Sequence, residues 1–198
     1  MSLQDVFIEE LRDLYSAENQ LVKALPKMAK AASTPELKTL ITEHLAETKG
    51  QVERLKEAFQ HLGKKPTGQH CNGMEGLIKE GTEAIESDEE GSTKDVNLIG
   101  AALRVEHYEI AGYTTAINIG KTLGHKEIVA LLTETLAEEK SAGKNLLSEA
   151  KPILKDAGSE DDAEEEEDSD EPQDAKEAES KRKSEKDERE AAPELKKR

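Results

Sequence analysis

Two glutamates, Glu18 and Glu139, stand at positions where the spacing of apolar residues requires a side chain in a protein core. Glu106 continues a third pattern of this kind, with Glu109 one helical turn away on its edge. An unpaired, ionised carboxylate in a core is very unfavourable, so each group needs a proton, a strong hydrogen-bond donor or a cation. Several inward carboxylates together indicate a cation site, because hard metal ions prefer oxygen ligands.

A fourth inward carboxylate comes from a separate apolar stripe. His44, Glu47 and Gln51 share this stripe, which drifts onto an apolar face through Leu40 and Leu55. His44 fits three roles equally well: a metal ligand, a donor to a ligand, or a hydrogen-bonded core histidine. For any one glutamate taken alone, a surface or boundary position is the commoner explanation, because glutamate is abundant on helix surfaces.

Four long segments with helical periodicity must position these side chains. Their apolar residues recur at spacings of three and four, which predicts helices over about residues 4–30, 35–62, 95–119 and 126–150. Thr34 followed by Pro35 is a good helix start, and Gly63 is a good stop. About thirty residues separate the second and third helices, and a shorter helix is predicted within them.

The lengths of the connections predict the topology. Short connections join the first helix to the second and the third to the fourth, so each pair should be antiparallel neighbours. The long connection, with its short extra helix, can cross the length of a bundle. Two helical hairpins joined in this way make a ferritin-like antiparallel four-helix bundle, which is the all-α fold predicted for residues 1–157.

The depths of the carboxylates can be compared by counting residues from the turns. Glu18 and Glu47 stand 14 and 15 residues from a turn centred near residue 32. Glu106 and Glu139 each stand about 16 residues from a turn centred near residue 122. At about 1.5 Å of rise per residue, the members of each pair lie at nearly one level. One inward carboxylate per helix at one level predicts a site for two metal ions.

The composition changes abruptly after Ala157. The segment 158–198 carries 18 acidic and 9 basic residues, and Leu195 is its only large aliphatic residue. Such a segment cannot bury enough apolar surface to fold alone, so we predict a disordered charged tail. The sequence does not identify a partner for it. The formal net charge of −16 argues against nucleic-acid binding by the whole chain and suits a protein that handles cations.

The single cysteine, Cys71, cannot form an internal disulfide, which favours a cytoplasmic or otherwise reducing compartment. We expect it to be a small buried residue at the start of the crossover helix rather than a reactive thiol. The N-terminus lacks a secretory pattern, and no stretch approaches the roughly 20 apolar residues of a membrane span, so no membrane association is expected.

Five motifs in order along the chain carry a family resemblance over about residues 3–150. They are Leu14–Glu18, His44–Thr48, Cys71–Ile78, Val105–Ala111 and Thr135–Lys140. These motifs resemble the YciF/YciE-like ferritin-like proteins of bacteria. The resemblance implies a ferritin-like bundle with an interhelical dimetal site, a homodimer, and an association with stress responses. Carried over by motif, it implies a set of metal ligands: Glu18, Glu47, Glu106 and Glu139, with His44 and Glu109 next.

The chain departs from the wider ferritin-like pattern because its second and fourth helices lack Glu-x-x-His. Glu47 is followed at the third position by Gly50, and Glu139 by Ala142. A site poor in nitrogen favours iron or manganese over zinc or copper. The leading hypothesis is therefore a protein with two iron or manganese ions that reacts with peroxide, oxygen or ferrous iron in stress protection.

Two other functions compete with this hypothesis. The first is a non-catalytic structural or interaction protein of the stress response, whose inner carboxylates are held by protons, waters or basic side chains. The second is a ferritin-style storage cage, which is less favoured because the residues show no cage contacts and the tail would need room. No catalytic residue is assigned.

Overall fold

A computed structural model describes residues 1–67 and 69–169, with side chains described as far as residue 159. This part of the chain holds five α-helices and no strand, which confirms the all-α prediction. The helices are α1 (Leu3–Ala31), α2 (Pro35–His61), α3 (Asn72–Glu86), α4 (Gly91–Leu123) and α5 (Lys126–Ser169). Helix α3 is the short helix predicted in the long connection. None of the described helices has a stretch long and apolar enough to cross a bilayer.

Helices α1 and α2 form a hairpin whose short loop is held by α4. Thr34 is the N-cap of α2, yet its side chain makes no capping hydrogen bond. The buried carboxylate of Asp95 accepts hydrogen bonds from the backbone nitrogens of Ser33 at 2.7 Å and Thr34 at 2.8 Å. A side chain from a distant helix thus satisfies two backbone donors of the loop that leads into α2.

The apolar core lies in two clusters. The first core cluster contains Leu21, Leu25, Ile41, Leu98 and Leu146, among others, and packs against α3. The second core cluster lies at the other ends of the four long helices α1, α2, α4 and α5. It includes Phe7, Leu11, Leu14, Leu55, Phe59, Tyr113, Ile117, Ile128 and Leu132. On α2, α4 and α5, buried polar residues stand in sequence between the residues of the two clusters, and on α1 buried Glu18 follows Ala17, the first residue of the first cluster on that helix.

Helix α5 extends beyond its predicted end near Ala150. It continues through Pro152 to Ser169. Buried Ile153 and Ala157 extend the apolar stripe of Leu146 and Ala150 at spacings of three and four, which explains the extra turns as far as Ala157. Residues 158–169, which were predicted to belong to the disordered tail, are helical. Residues 170–198 lie outside the described residues, so the disorder of that part stays a prediction.

Helix α4 is longer than predicted, and the set of its residues that faces the core differs from the predicted one. The spacing of Leu103 and Ile110 from Ile99 and Tyr113 predicts that they share the inner face, yet both are only half-buried, whereas Val105 and Glu109 are buried. Helix α4 packs against both α1 and α3, so no single stripe marks its buried residues. Glu109 itself faces the centre of the bundle, beside Glu18 of α1 and Glu139 of α5. Glu109 therefore lies inside the protein and not on the edge of the inner face, where it was predicted.

Candidate metal centre

A layer of buried polar side chains separates the two core clusters. Helices α1, α2, α4 and α5 all contribute to it, with the following members: Glu18, His44, Thr48, Gln51, Glu106, Glu109, Thr135 and Glu139. Each member follows an apolar stripe on its helix, so the same packing that buries leucines also buries these groups. The layer concentrates carboxylates in a region that water reaches poorly.

Four members of this layer are close enough to share a cation. His44 of α2, Glu106 and Glu109 of α4, and Glu139 of α5 each offer one ligand atom. These atoms all lie within 4.8 Å of one another. The Nε2 atom of His44 is 3.3 Å from Oε1 of Glu106. One imidazole and three carboxylates in this arrangement suit a hard or borderline metal ion.

The other two predicted ligands, Glu18 and Glu47, lie outside this group of four. Glu18 is fully buried and accepts a hydrogen bond from the hydroxyl of Tyr113. The side chain of Glu47 is 47% exposed, and its Oε2 lies 3.6 Å from Nδ1 of His44. The structure thus places His44 and Glu109, which the resemblance ranked second, at the centre of the cluster. The ligand roles of all six residues stay predictions.

Many polar atoms of the layer have no hydrogen-bond partner in the described part of the chain. Both carboxylate oxygens of Glu109 and both ring nitrogens of His44 are buried without a hydrogen-bond partner. The same is true of one carboxylate oxygen in each of Glu18, Glu106 and Glu139. Leaving such groups unpaired is unfavourable, because burial removes the water that would otherwise solvate them. A bound cation satisfies oxygens and an imidazole nitrogen together, so the donor set fits a metal.

The electrostatics of the layer point the same way. Burial raises the pKa of Glu109 well above its ordinary value, and the neighbouring charges of Glu18 and Glu139 raise it further. Burial likewise raises the pKa values of Glu18 and Glu106, to which Glu139 adds its charge. Carboxylates that share one buried space cannot all ionise unless a positive charge joins them.

Glu47 behaves differently because it is partly solvated. The neighbouring imidazole of His44 lowers its pKa below the ordinary value. Glu47 is therefore the carboxylate most readily ionised beside the buried cluster. Its carboxylate lies on the solvent-exposed side of His44, where it could bind a metal ion that enters from solvent.

A hydrogen-bonded group on α2 and α5 holds one side of the site. Gln51 donates from Nε2 to Oε1 of Glu139 and, at 3.1 Å, to Oε2 of Glu138. Arg54 pairs with Glu138 and donates from Nε to the hydroxyl of Thr135 at 2.9 Å. Sequence analysis placed Gln51 on the inner stripe but missed Arg54. Its position three residues after Gln51, on the same helix face, was the available signal.

Cys71 is fully buried at the start of α3, as expected of a small core residue. Its Sγ lies 2.9 Å from the hydroxyl of Tyr108 and 3.0 Å from Oδ2 of Asp13. Burial raises the pKa of the thiol, which favours its protonated, less nucleophilic form. The group joins α3 to α1 and α4 apart from the metal cluster.

Comparisons with known proteins agree with this architecture. Residues 2–157 match a protein family described as "Domain of unknown function (DUF892)". Protein YciF of Escherichia coli (strain K12) is 45% identical over 141 residues, covering 71% of this chain and 85% of that protein.

Two solved structures are similar over most of the chain. The crystal structure of the E. coli stress protein YciF matches with a TM-score of 0.76 and 42% identity, covering 78% of this chain and 98% of that chain. YcfI from Rhodopseudomonas palustris, described as a candidate structural protein, matches with a TM-score of 0.72 and 44% identity, covering 74% of this chain and 93% of that chain. The chain therefore belongs to the DUF892 family of YciF-like proteins.

Proposed function

We propose that this chain is a ferritin-like dimetal protein of the bacterial stress response that reacts with peroxide. The observation that carries the proposal is the set of buried carboxylate oxygens and imidazole nitrogens that lack hydrogen-bond partners. Four of these side chains come within reach of one ion, and two further carboxylates stand beside them. The name of E. coli YciF as a stress protein supports the physiological setting.

The metals would be iron or manganese, because the site offers many oxygens and a single imidazole. His44, Glu106, Glu109 and Glu139 would hold one ion, and Glu18 and Glu47 would supply carboxylates for a second. When bound, the ions supply the redox chemistry of the site.

The surrounding residues prepare the site without taking part in electron transfer. Gln51 and Tyr113 each donate a hydrogen bond to a candidate ligand, to Glu139 and Glu18 respectively. Such contacts fix the orientation of a carboxylate before a metal arrives and tune its affinity. The apolar clusters on both sides exclude water, which strengthens electrostatic attraction within the layer.

Peroxide is preferred over dioxygen as the oxidant because nitrogen donors are scarce. The second and fourth long helices, α2 and α5, lack the Glu-x-x-His pattern of the wider ferritin-like proteins. An anionic, oxygen-rich site stabilises metal ions of higher charge, so bound ferrous iron should be oxidised readily. We also propose, from the family resemblance, a homodimer in the cytoplasm.

The proposal is tested by loading the protein with ferrous iron anaerobically and following ferric absorbance. Stoichiometric hydrogen peroxide and dioxygen are added in separate experiments. We expect faster oxidation with peroxide, an effect lost in Glu139→Ala and kept in Glu127→Ala, which changes an exposed glutamate of the same helix. Oxidation no faster than that of free iron with either oxidant would remove the enzymatic function.

A second candidate is a non-catalytic structural protein. It is favoured by the contacts of Gln51 and Tyr113 and by the raised pKa of Glu109, since protons and donors can hold these carboxyls without metal. The description of R. palustris YcfI as a candidate structural protein agrees with it. Under this alternative, protein purified without chelator contains little metal, whereas the leading proposal requires bound ions.

A further inference from the structure

An apolar cavity of about 290 Å³ adjoins the candidate metal centre. All five helices line it, largely with aliphatic side chains that include Leu25, Leu40, Ile78, Val105 and Leu146. Its volume is close to the lower end of the roughly 300–1,000 Å³ range typical of small-molecule sites. A cavity with this lining is poorly suited to water, which needs two to four polar partners.

The cavity has a reactive end and a solvent end. His44 and Glu106 line its buried end, where both ring nitrogens of His44 and Oε2 of Glu106 lack hydrogen-bond partners. These side chains are 7% and 2% exposed. The cavity therefore leads an apolar molecule to two of the side chains of the candidate metal centre.

The charges at the solvent end do not select for an ionic ligand. Lys23 and Lys27 stand at the rim together with Glu43 and Glu47, and all four are exposed. Two positive and two negative side chains give no net attraction for an anion or a cation. The lining thus fits an uncharged molecule with a hydrocarbon body and a small polar group.

We propose that this cavity binds the hydrocarbon part of a neutral organic hydroperoxide, with the O–O group at His44 and Glu106. This inference rests on the proposed function, because it names the class of peroxide that the metal centre reduces. Hydrogen peroxide is small and wholly polar and gains nothing from an aliphatic cavity. An alkyl or aralkyl hydroperoxide gains the burial of its apolar surface, at about 25 cal/mol per Å².

The reaction balances with ferrous iron as the reductant. The O–O bond of the hydroperoxide breaks, and each of two ferrous ions loses one electron. Two protons are taken up from water. The products are one alcohol, one water molecule and two ferric ions. The alcohol keeps the hydrocarbon part of its parent, so it is a stable probe for the same cavity.

Binding can be measured on the metal-free, full-length protein with 2-phenylpropan-2-ol, the alcohol formed from cumene hydroperoxide. Isothermal titration calorimetry and NMR shifts should show saturable binding of one molecule per chain. Ala24→Phe fills the cavity from a half-buried lining position and should weaken binding at least tenfold. Leu40→Trp is a second filling variant. Ala130→Phe is the matched control: it makes the same alanine-to-phenylalanine change at an exposed position that does not line the cavity. This variant should bind the alcohol as the wild type does.

The iron-loaded protein then separates this inference from the proposed function. Cumene hydroperoxide should oxidise the iron faster than hydrogen peroxide, and Ala24→Phe should slow only the reaction with cumene hydroperoxide. No saturable alcohol binding, or equal binding by the filling variants, overturns the inference even if hydrogen peroxide oxidises the bound iron. Alcohol binding without oxidation by either peroxide overturns the proposed function and, with it, the hydroperoxide as substrate.

Discussion

At the scale of single residues, Glu109 shows how strongly a functional assignment depends on the phase of one helix. The apolar spacing placed it on the edge of the inner face of α4, and the structure buries it completely. The difference arises because Glu109 faces the centre of the bundle, beside Glu18 of α1 and Glu139 of α5, which no pattern within α4 reveals. Glu18 and Glu139, by contrast, interrupt unambiguous stripes, so their burial could be predicted from sequence.

Glu109 also makes the stability of the apoprotein depend on pH. Burial first, and then the charges of Glu18 and Glu139, raise its pKa in the folded state above about 4.3, the value in an unfolded chain. The folded protein then retains a proton that the unfolded chain releases. The free energy of unfolding should therefore fall as the pH rises above about 4.5, until the folded-state pKa is passed.

The measurement is urea unfolding of the metal-free protein at several values between about pH 5 and about pH 8. Glu109→Gln lacks the titrating group, so over this range the wild type should lose stability relative to the variant. Glu127→Gln, a change at an exposed glutamate, should track the wild type. Parallel stability curves for wild type and Glu109→Gln would show that Glu109 carries no raised pKa.

At the scale of elements, local signals predicted where helices begin better than where they end. Pro35 marks the first residue of α2, as Thr34 and Pro35 together indicate. The end of α5 was underestimated, since buried Ile153 and Ala157 continue its stripe past Pro152 and the helix runs on to Ser169. Two further buried residues are too few for their spacing alone to predict this extension.

The start of α2 depends on a residue that sequence reasoning did not consider. Asp95 accepts two backbone hydrogen bonds from the α1–α2 loop while fully buried. Asp95→Ala removes the acceptor of two hydrogen bonds, from the backbone nitrogens of exposed Ser33 and half-buried Thr34, and should lower the free energy of unfolding by about 1–2 kcal/mol. Urea unfolding measures the change, and Asp88→Ala, at an exposed position before α4, serves as the control. A loss below about 0.5 kcal/mol would show that the loop does not depend on Asp95.

At the scale of the whole molecule, matched depth was the signal that grouped the carboxylates of different helices. Counting residues from two turns placed Glu18 level with Glu47, and Glu106 level with Glu139, and the structure puts Glu18, Glu106 and Glu139 in one buried layer. Glu47 was less predictable, because its long side chain reaches solvent beside His44. The apolar cavity could not be predicted, since it depends on how five helices meet.

The charged segment after Ala157 should not contribute to the stability of the preceding residues. The family match ends at residue 157, and the composition changes there from mixed to strongly charged. A chain cut after Ala157 should keep its thermal unfolding midpoint within about 2 °C and its metal content unchanged. Circular dichroism and metal analysis check both. Extensive loss of helical signal from residues 1–157 would move the domain boundary into the segment.

The metal content of the purified protein tests the central claim most directly. The full-length chain is expressed with iron and manganese available, purified without chelator and analysed by mass spectrometry. We expect about two ions of iron or manganese per chain, as two-metal bundles hold.

Glu139→Leu should lose these ions while its metal-free form stays as stable as the wild type or more so, because a buried carboxylate has been removed. The exposed-site variant Glu127→Leu should keep them. Well-folded wild-type protein with far less than one ion per chain, or full metal content in Glu139→Leu, would contradict the assignment of a metal centre to this layer.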